Sequence, residues 1–251
     1  MSEIPGIYVF CAFQADVPEA FGTAILNGNE TPVFSLRYKD IALAVCQVDQ
    51  EVLPTRENLM AHQKVIAKVM EKHAVVPMSF GNVFHDEKNA LYITEHLYEQ
   101  LRELLPHLEN KIEVGLKIVA EEHWLQEEWQ KDPTFKKWSG KGTLQSAGAF
   151  YDRITMGELA QKFFLSLRSK VETDIYVPLS VLAESSKLND VLSEKMLLNA
   201  AFLIDRNLEK EFDEKVNSLF EEWEGKVVFK YSGPWPAYNF VNIRLKIEGS
   251  S

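Results

Sequence analysis

The chain has only two cysteines in 251 residues, Cys11 and Cys46. Two thiols cannot furnish a zinc set. Both fall inside apolar, strand-like runs, so they read as buried free thiols and not as a disulfide. An excess of positive charge is also missing: 27 Lys and Arg stand against 37 Asp and Glu, a net charge of −10. That argues against an extended nucleic-acid footprint and weakens any case for anionic lipid. No apolar run reaches the length of a membrane span. The opening residues, Met1 to Gly6, lack the basic stretch of a signal peptide, so an intracellular, cytoplasmic protein is expected. The glycines never form a dinucleotide-binding or Walker-type phosphate loop between a strand and a helix. No Gly-x-Ser-x-Gly elbow occurs either, and nothing in the sequence asks for a cofactor.

What is present is ordinary for a globular protein, 46% hydrophobic and 25% charged, at a length that fits one large domain or two of common size. Residues 6–13 are apolar on both alternating faces, as in a central strand. Residues 14–31 carry turn formers (Pro18, Gly22, Asn27, Gly28, Asn29) and read as a loop with room for one helical turn. Strands follow at 32–38 and 40–48, joined by a tight turn at Lys39-Asp40. Thr55 suits an N-cap, and Leu59, Ile66, Val69 and Met70 form the apolar stripe of a helix running to about His73. Residues 75–84 are β-rich and bent at Pro77 or Gly81. Asp86 caps a helix over 87–105 that Pro106 ends.

Alternation of Ile112, Val114, Leu116 and Ile118 with Glu113, Gly115 and Lys117 predicts a strand at 111–120. Residues 121–148 are mostly charged yet hold Trp124, Trp129 and Trp138, which suggests short helices broken at Pro133 and at Gly140/Gly142, laid over the surface. A long helix is expected over 148–172, an edge strand over 175–183 with Pro178 in it, and a polar connector over 184–193. A buried strand at 196–204 precedes a helix of 206–223 capped by Asp205. Val227, Phe229 and Tyr231 make a further strand. Gly233-Pro234-Trp235-Pro236 is then a stiff corner, because glycine reaches positive φ and each proline restricts its predecessor. Beyond it, Val241, Ile243, Leu245 and Ile247 alternate with Asn242, Arg244, Lys246 and Glu248 as a half-buried tail strand.

These elements predict an α+β protein of two domains. Residues 1–107 form a mixed α+β unit. Residues 108–232 follow the split βαβ, ferredoxin-like order, with 121–148 as a helical insertion. Residues 233–251 form the tail. The ferredoxin-like count of four strands closes at Tyr231, so the tail strand is surplus. It is expected to leave its domain and pair with a strand of the first, with Trp235 packed at the junction. On this reading Gly233, Pro234, Trp235, Pro236, Tyr238 and Phe240 are an inter-domain clasp.

Candidate chemistry is thin. His62 and His73 share a helix face but stand about 16 Å apart, too far to bind one ion, and the face is apolar. They read as core histidines, and no metal or catalytic site is assigned. His123 lacks the spacing of a zinc helix. Asp152-Arg153 and Asp205-Arg206 more often serve as caps and surface ion pairs than as functional charges. The tryptophan-bearing segment admits two readings. Trp124, Trp129 and Trp138 can form a partner-binding patch, since tryptophan is enriched at interfaces, or they can pin the insertion onto its own domain. An enzyme with an acid/base site near His73 and Arg153 is the alternative function. An RNA-binding role wants exposed sheet aromatics with basic flanks, which are absent.

The run Tyr231-Ser-Gly-Pro-Trp-Pro-Ala-Tyr-Asn-Phe-Val241 resembles the C-terminal signature of the gas vesicle GvpF/GvpL family. Residues 75–84 resemble its Pro-x-x-Phe-Gly-x-x-Phe motif. Further blocks match at Met196–Arg206, Lys111–Lys117 and Ala149–Arg153, in the right order over nearly the whole chain. Ala237 stands where a second proline is more common, and residues 121–148 match least. The resemblance implies an α+β protein with a ferredoxin-like C-terminal domain carrying inserted helices, and a tail that returns to join the domains. It also implies a minor gas vesicle protein acting in assembly, located at the gas vesicle. Its partners would be the hydrophobic shell protein GvpA and other accessory Gvp proteins, with shell-protein aggregation limited during nucleation.

Overall fold

The computed structural model describes residues 6–132 and 149–243, with the side chains of 149–156 outside that description. The chain divides into two compact units, one of Met1–Glu113 with the residues from Pro234 on, the other of Val114–Gly233.

The first unit is built on β1 (Gly6–Gln14), whose residues are buried through Phe13. Burial on both faces follows from its position: it pairs antiparallel with β4 (Ile41–Val48) on one side and with β5 (Val75–Pro77) and β6 (Val83–Phe84) on the other. The sheet order is β2-β3-β4-β1-β5, with β6 also on β1. Here the loop expected at 14–31 is overturned. β2 (Ala20–Leu26) is a strand, and it forms a hairpin with β3 (Asn29–Tyr38). Asn27 (φ 52°) and Gly28 (φ 81°) both take the positive φ that a two-residue hairpin turn demands. The alternation that would have announced β2 is broken by an irregularity between Ala20 and Thr23, where Gly22 sits at φ 84°. A bulge shifts the period of two and hides the strand. The next turn behaves as expected, with Lys39 at φ 56°.

Two helices cover this sheet. In α1 (Arg56–Met70) the Thr55 side chain accepts from the Asn58 N–H, and Val65, Ile66 and Val69 are buried. Leu59, expected in the stripe, is exposed. α2 (Glu87–His107) is capped by Asp86 and buries Ala90, Leu97, Leu101 and Leu105. Each such buried leucine stabilises by roughly 1.5–3 kcal/mol.

The second unit carries a four-stranded sheet in the order β10-β7-β9-β8. Its elements are β7 (Lys111–Ala120), α3 (Glu122–Lys131), α4 (Ala149–Val171), α5 (Val177–Ser180), β8 (Ser185–Leu188), β9 (Met196–Asp205), α6 (Glu209–Glu222) and β10 (Val227–Trp235). β7 and β9 fall where alternation and apolarity put them. The edge strand expected over 175–183 is instead helical. Glu172–Tyr176 form a wide turn continuing α4, and Pro178 lies in the first turn of α5, where a missing N–H costs nothing. The strand lies in the supposed connector: β8 pairs antiparallel with β9, Ser185 opposite Leu203. It reads as polar because it ends the sheet, and edge strands carry residues such as Lys187.

The tail also departs from expectation. β10 continues through Gly233 and Pro234 to Trp235, so the bend comes one step later, at Pro236. Proline fits there because an edge strand leaves one side of its backbone without ladder partners. Trp235 is 39% exposed, not packed away. The described start of the expected tail strand is not extended. The N–H groups of Phe240 and Val241 both reach the Ala237 carbonyl, at 3.1 Å, which makes a helical turn. Residues 244–247 of that expected strand lie outside the described residues.

Candidate functional site

Two segments singled out in the sequence, 75–84 and 231–241, meet α1 at consecutive residues. Between β5 and β6 the chain loops outward over Met78–Asn82, with Gly81 at φ 89°. Beneath the loop lies a buried polar network. Met78 O can only accept, so His62 Nε2 carries the proton and donates to it at 3.2 Å. His62 Nδ1 is then an acceptor, and Tyr8 Oη donates to it at 2.9 Å. Tyr8 Oη in turn accepts from the Gly81 N–H at 3.3 Å. Two side chains thus hold both ends of the loop. The Met78 N–H to Phe10 O bond (2.9 Å) and the Val9 N–H to Asn82 O bond (2.9 Å) fasten it to β1.

Burial governs the electrostatics here. Desolvation lowers the His62 pKa to about 4, only partly offset by the Met78 carbonyl, so the ring is neutral. The same cause pushes the Tyr8 hydroxyl well above its ordinary value. Cys46 is pushed up to about 12 and Cys11 higher still, both by burial, so neither is a nucleophile.

The residue after His62 holds the tail. Gln63 Nε2 donates to Tyr238 Oη at 2.9 Å, and the ring packs on the same core cluster as Phe80. Burial raises the Tyr238 pKa to about 12. The Asn239 N–H and Nδ2 donate to Glu113 Oε2 and Oε1 at 2.8 and 2.6 Å. Glu113, a polar member of its alternating strand, is 4% exposed. Gln63, Glu113 and Asn239 were not singled out in the sequence. Gln63 and Glu113 lie 175 and 126 residues from their partners, so no local pattern joins them.

The remaining candidates separate. Trp124 is 6% exposed and meets Trp223 edge to face at 5.8 Å. Trp129 is half-buried against Phe163, with ring centroids 4.8 Å apart. Trp138 lies outside the described residues. His73 meets Phe13 at a tilt (ring centroids 4.8 Å apart) and faces Glu19 Oε1 at 2.9 Å, though without a well-aimed hydrogen bond. The side chains of Asp152 and Arg153 lie outside the described residues. Asp205 caps, accepting from the Asn207 N–H at 2.9 Å. Among the described residues, no three or more His, Cys, Asp or Glu are placed to hold a metal ion, and no helix is long and apolar enough to cross a membrane.

The arrangement is an α+β frame that fixes the 78–82 loop and the tail on one helix, α1. The family model for gas vesicle synthesis protein GvpL/GvpF matches residues 6–242, and the chain belongs to that family. This is a family of gas vesicle proteins, not an enzyme family, and it implies a role in gas vesicle formation. Gas vesicle protein F of Haloferax mediterranei is 25% identical over 217 residues, which cover 85% of this chain and 83% of that protein. Gas vesicle protein F of Nostoc sp. PCC 7120 is 27% identical over 247 residues, 95% of this chain and 98% of that one. The crystal structure of GvpF from Anabaena sp. PCC7120 has the same fold, with a TM-score of 0.83 over 98% of this chain and 100% of that chain at 23% identity.

Proposed function

We propose that the protein is an assembly adaptor of the gas vesicle. It binds the shell protein GvpA and other accessory Gvp proteins, and it limits shell-protein aggregation during nucleation. It acts in the cytoplasm and at the vesicle. The observation that carries this reading is the family match across residues 6–242. The convergence of both signature segments on His62 and Gln63 supports it. Such segments earn their place by presenting a surface, and among the described residues they assemble no acid/base constellation.

The finer fold reading belongs to the same proposal. Helices lie between β7 and β8 and between β9 and β10, and the sheet order is β10-β7-β9-β8, which supports a ferredoxin-like C-terminal domain. The tail from Pro234 is the clasp of the N-terminal domain. Its anchoring through Tyr238 and Asn239 supports that role.

Deletion of the gene in a vesicle-forming cell, paired with a pull-down using the purified chain, tests the function. Vesicle formation should fail or fall sharply, and GvpA should be retained. Normal vesicles together with no retained GvpA would refute the proposal.

A further inference from the structure

The six-stranded sheet ends at β2, and α1 lies alongside that end. Together they line a groove of about 540 Å3. Its floor is apolar: Phe21, Ala24 and Val65 are buried beneath it. Ile25, 58% exposed, and Met60, 49% exposed, form its lips. Along the α1 wall stand Lys64 and Lys68, one helical turn apart.

Three features of this groove point the same way. β2 is the last strand in its sheet order, so among the described residues no strand pairs with its outer backbone row. Such an edge is a template for an added strand. The floor beside it is apolar and open. The wall above it is positive in a chain whose net charge is −10. Lys64 and Lys68 repel each other at that spacing, and neither has a carboxylate partner among the described residues. An uncompensated like-charge pair over an apolar floor calls for an anionic, apolar visitor.

We propose that this groove receives an extended segment of a partner protein as an added strand on β2. Its residues alternate apolar and acidic along the segment, so that one face carries the acids, set against Lys64 and Lys68, and the other carries the apolar side chains. The spacings agree. Side chains four apart on a helix stand about 5–6 Å from each other. Those two apart on one face of a strand stand about 6.6 Å apart. Glu57 lies about 10 Å further along α1 from Lys64 and repels an acid there, which sets the direction of the segment. Gly22 makes room at the edge: a Cβ on it would stand 2.9 Å from Lys68 Nζ. The ammonium therefore rests over the bulge, where an incoming carboxylate meets it.

Lysines at a sheet edge also serve to keep strands away, so the experiment must separate attraction from guarding. The probe is a fluorescent peptide of alternating valine and glutamate, seven residues long to match β2. A valine–lysine peptide and a backbone N-methylated valine–glutamate peptide are the controls. The full chain should bind the acidic peptide in preference to both controls. Lys64→Glu with Lys68→Glu should weaken that binding by roughly tenfold or more. Met60→Asp should weaken it as well. Both lysines are exposed, so the variants keep the fold; circular dichroism checks this, and Lys64→Gln with Lys68→Gln replaces the pair if it does not. Absent or equal binding of the peptides, or binding indifferent to the lysines, overturns the proposal. So does a Lys64→Ala, Lys68→Ala variant that self-associates while its peptide binding is unchanged, which would make the lysines guards.

Discussion

The two units put their aromatic rings to different uses. In the N-terminal unit, Tyr8, Phe10 and Phe80 surround His62, each with ring centroids 5.7 Å from it. They enclose hydrogen bonds that hold a loop. In the C-terminal unit the contacts are ring on ring: Trp124 with Trp223 at 5.8 Å, Phe202 with Phe212 at 5.3 Å, Trp129 with Phe163 at 4.8 Å. Lys170 and Lys226 place their ammoniums over Trp223 at 5.5 and 5.6 Å. The second arrangement is volume and area, with little direction in it. The first is directional, because each donor has one acceptor and each burial is conditional on that pairing. Damage to the C-terminal cluster should therefore change stability alone, while damage to the N-terminal one should also change a pH response and a loop.

The largest expected effect belongs to the C-terminal cluster. Trp124→Ala removes a buried ring that meets Trp223 and should cost about 3–5 kcal/mol. Urea unfolding followed by far-ultraviolet circular dichroism measures it. A loss below about 1 kcal/mol would mean that α3 does not depend on this ring. Trp124 would then return to the partner-binding role, and the contrast between the units would dissolve.

A smaller effect, with a distinctive signature, belongs to His62. Its pKa falls from the ordinary 6.5 to about 4 on folding. The unfolded chain therefore binds more protons between these values, and stability rises with pH across that window. The contribution is complete above pH 6.5 and is lost as pH falls towards 4. Its full size is on the order of 3 kcal/mol. Carboxylates titrate in the same range, so the informative quantity is the difference between wild type and His62→Leu. The variant should be less stable at pH 7.5, and the gap should narrow as pH approaches 4. Parallel profiles would remove the directional character claimed for this core.

Which parts were legible in the sequence follows the same divide between local and distant causes. Thr55 and Asp86 announced their helices because a cap acts within three residues. β7 and β9 were legible through alternation and apolarity. β2 was not, because one bulge at Gly22 breaks the period that reveals a strand. Residues 175–183 are helical, not the expected edge strand: Pro178 marks a helix start and not a strand edge, since the wide turn of Glu172–Tyr176 carries the chain from α4 into α5, whose first turn accepts a proline. Of the candidate site, Tyr238 and the 75–84 segment stood out through the family signatures they resemble. Their supports, Tyr8, Gln63 and Glu113, did not. Glu113 in particular looks like one more polar residue of an alternating strand until Asn239 arrives from the far end of the chain.

The smallest effect tests how the tail is held. Tyr238→Phe keeps the ring on the core and deletes only the hydroxyl that accepts from Gln63. The net loss should be about 0.5–1.5 kcal/mol, the usual worth of one such bond. It should be local, because Asn239 still grips Glu113 through two bonds. Hydrogen exchange at Asn239 to Val241 should quicken, while the amide of Gly81, bonded to Tyr8, keeps its protection. If Gly81 exchange quickens as well, the tail and the loop share one support through α1. His62 and Gln63 would then work as a single bracket, and the polar network of the N-terminal unit would extend further than its hydrogen bonds alone describe.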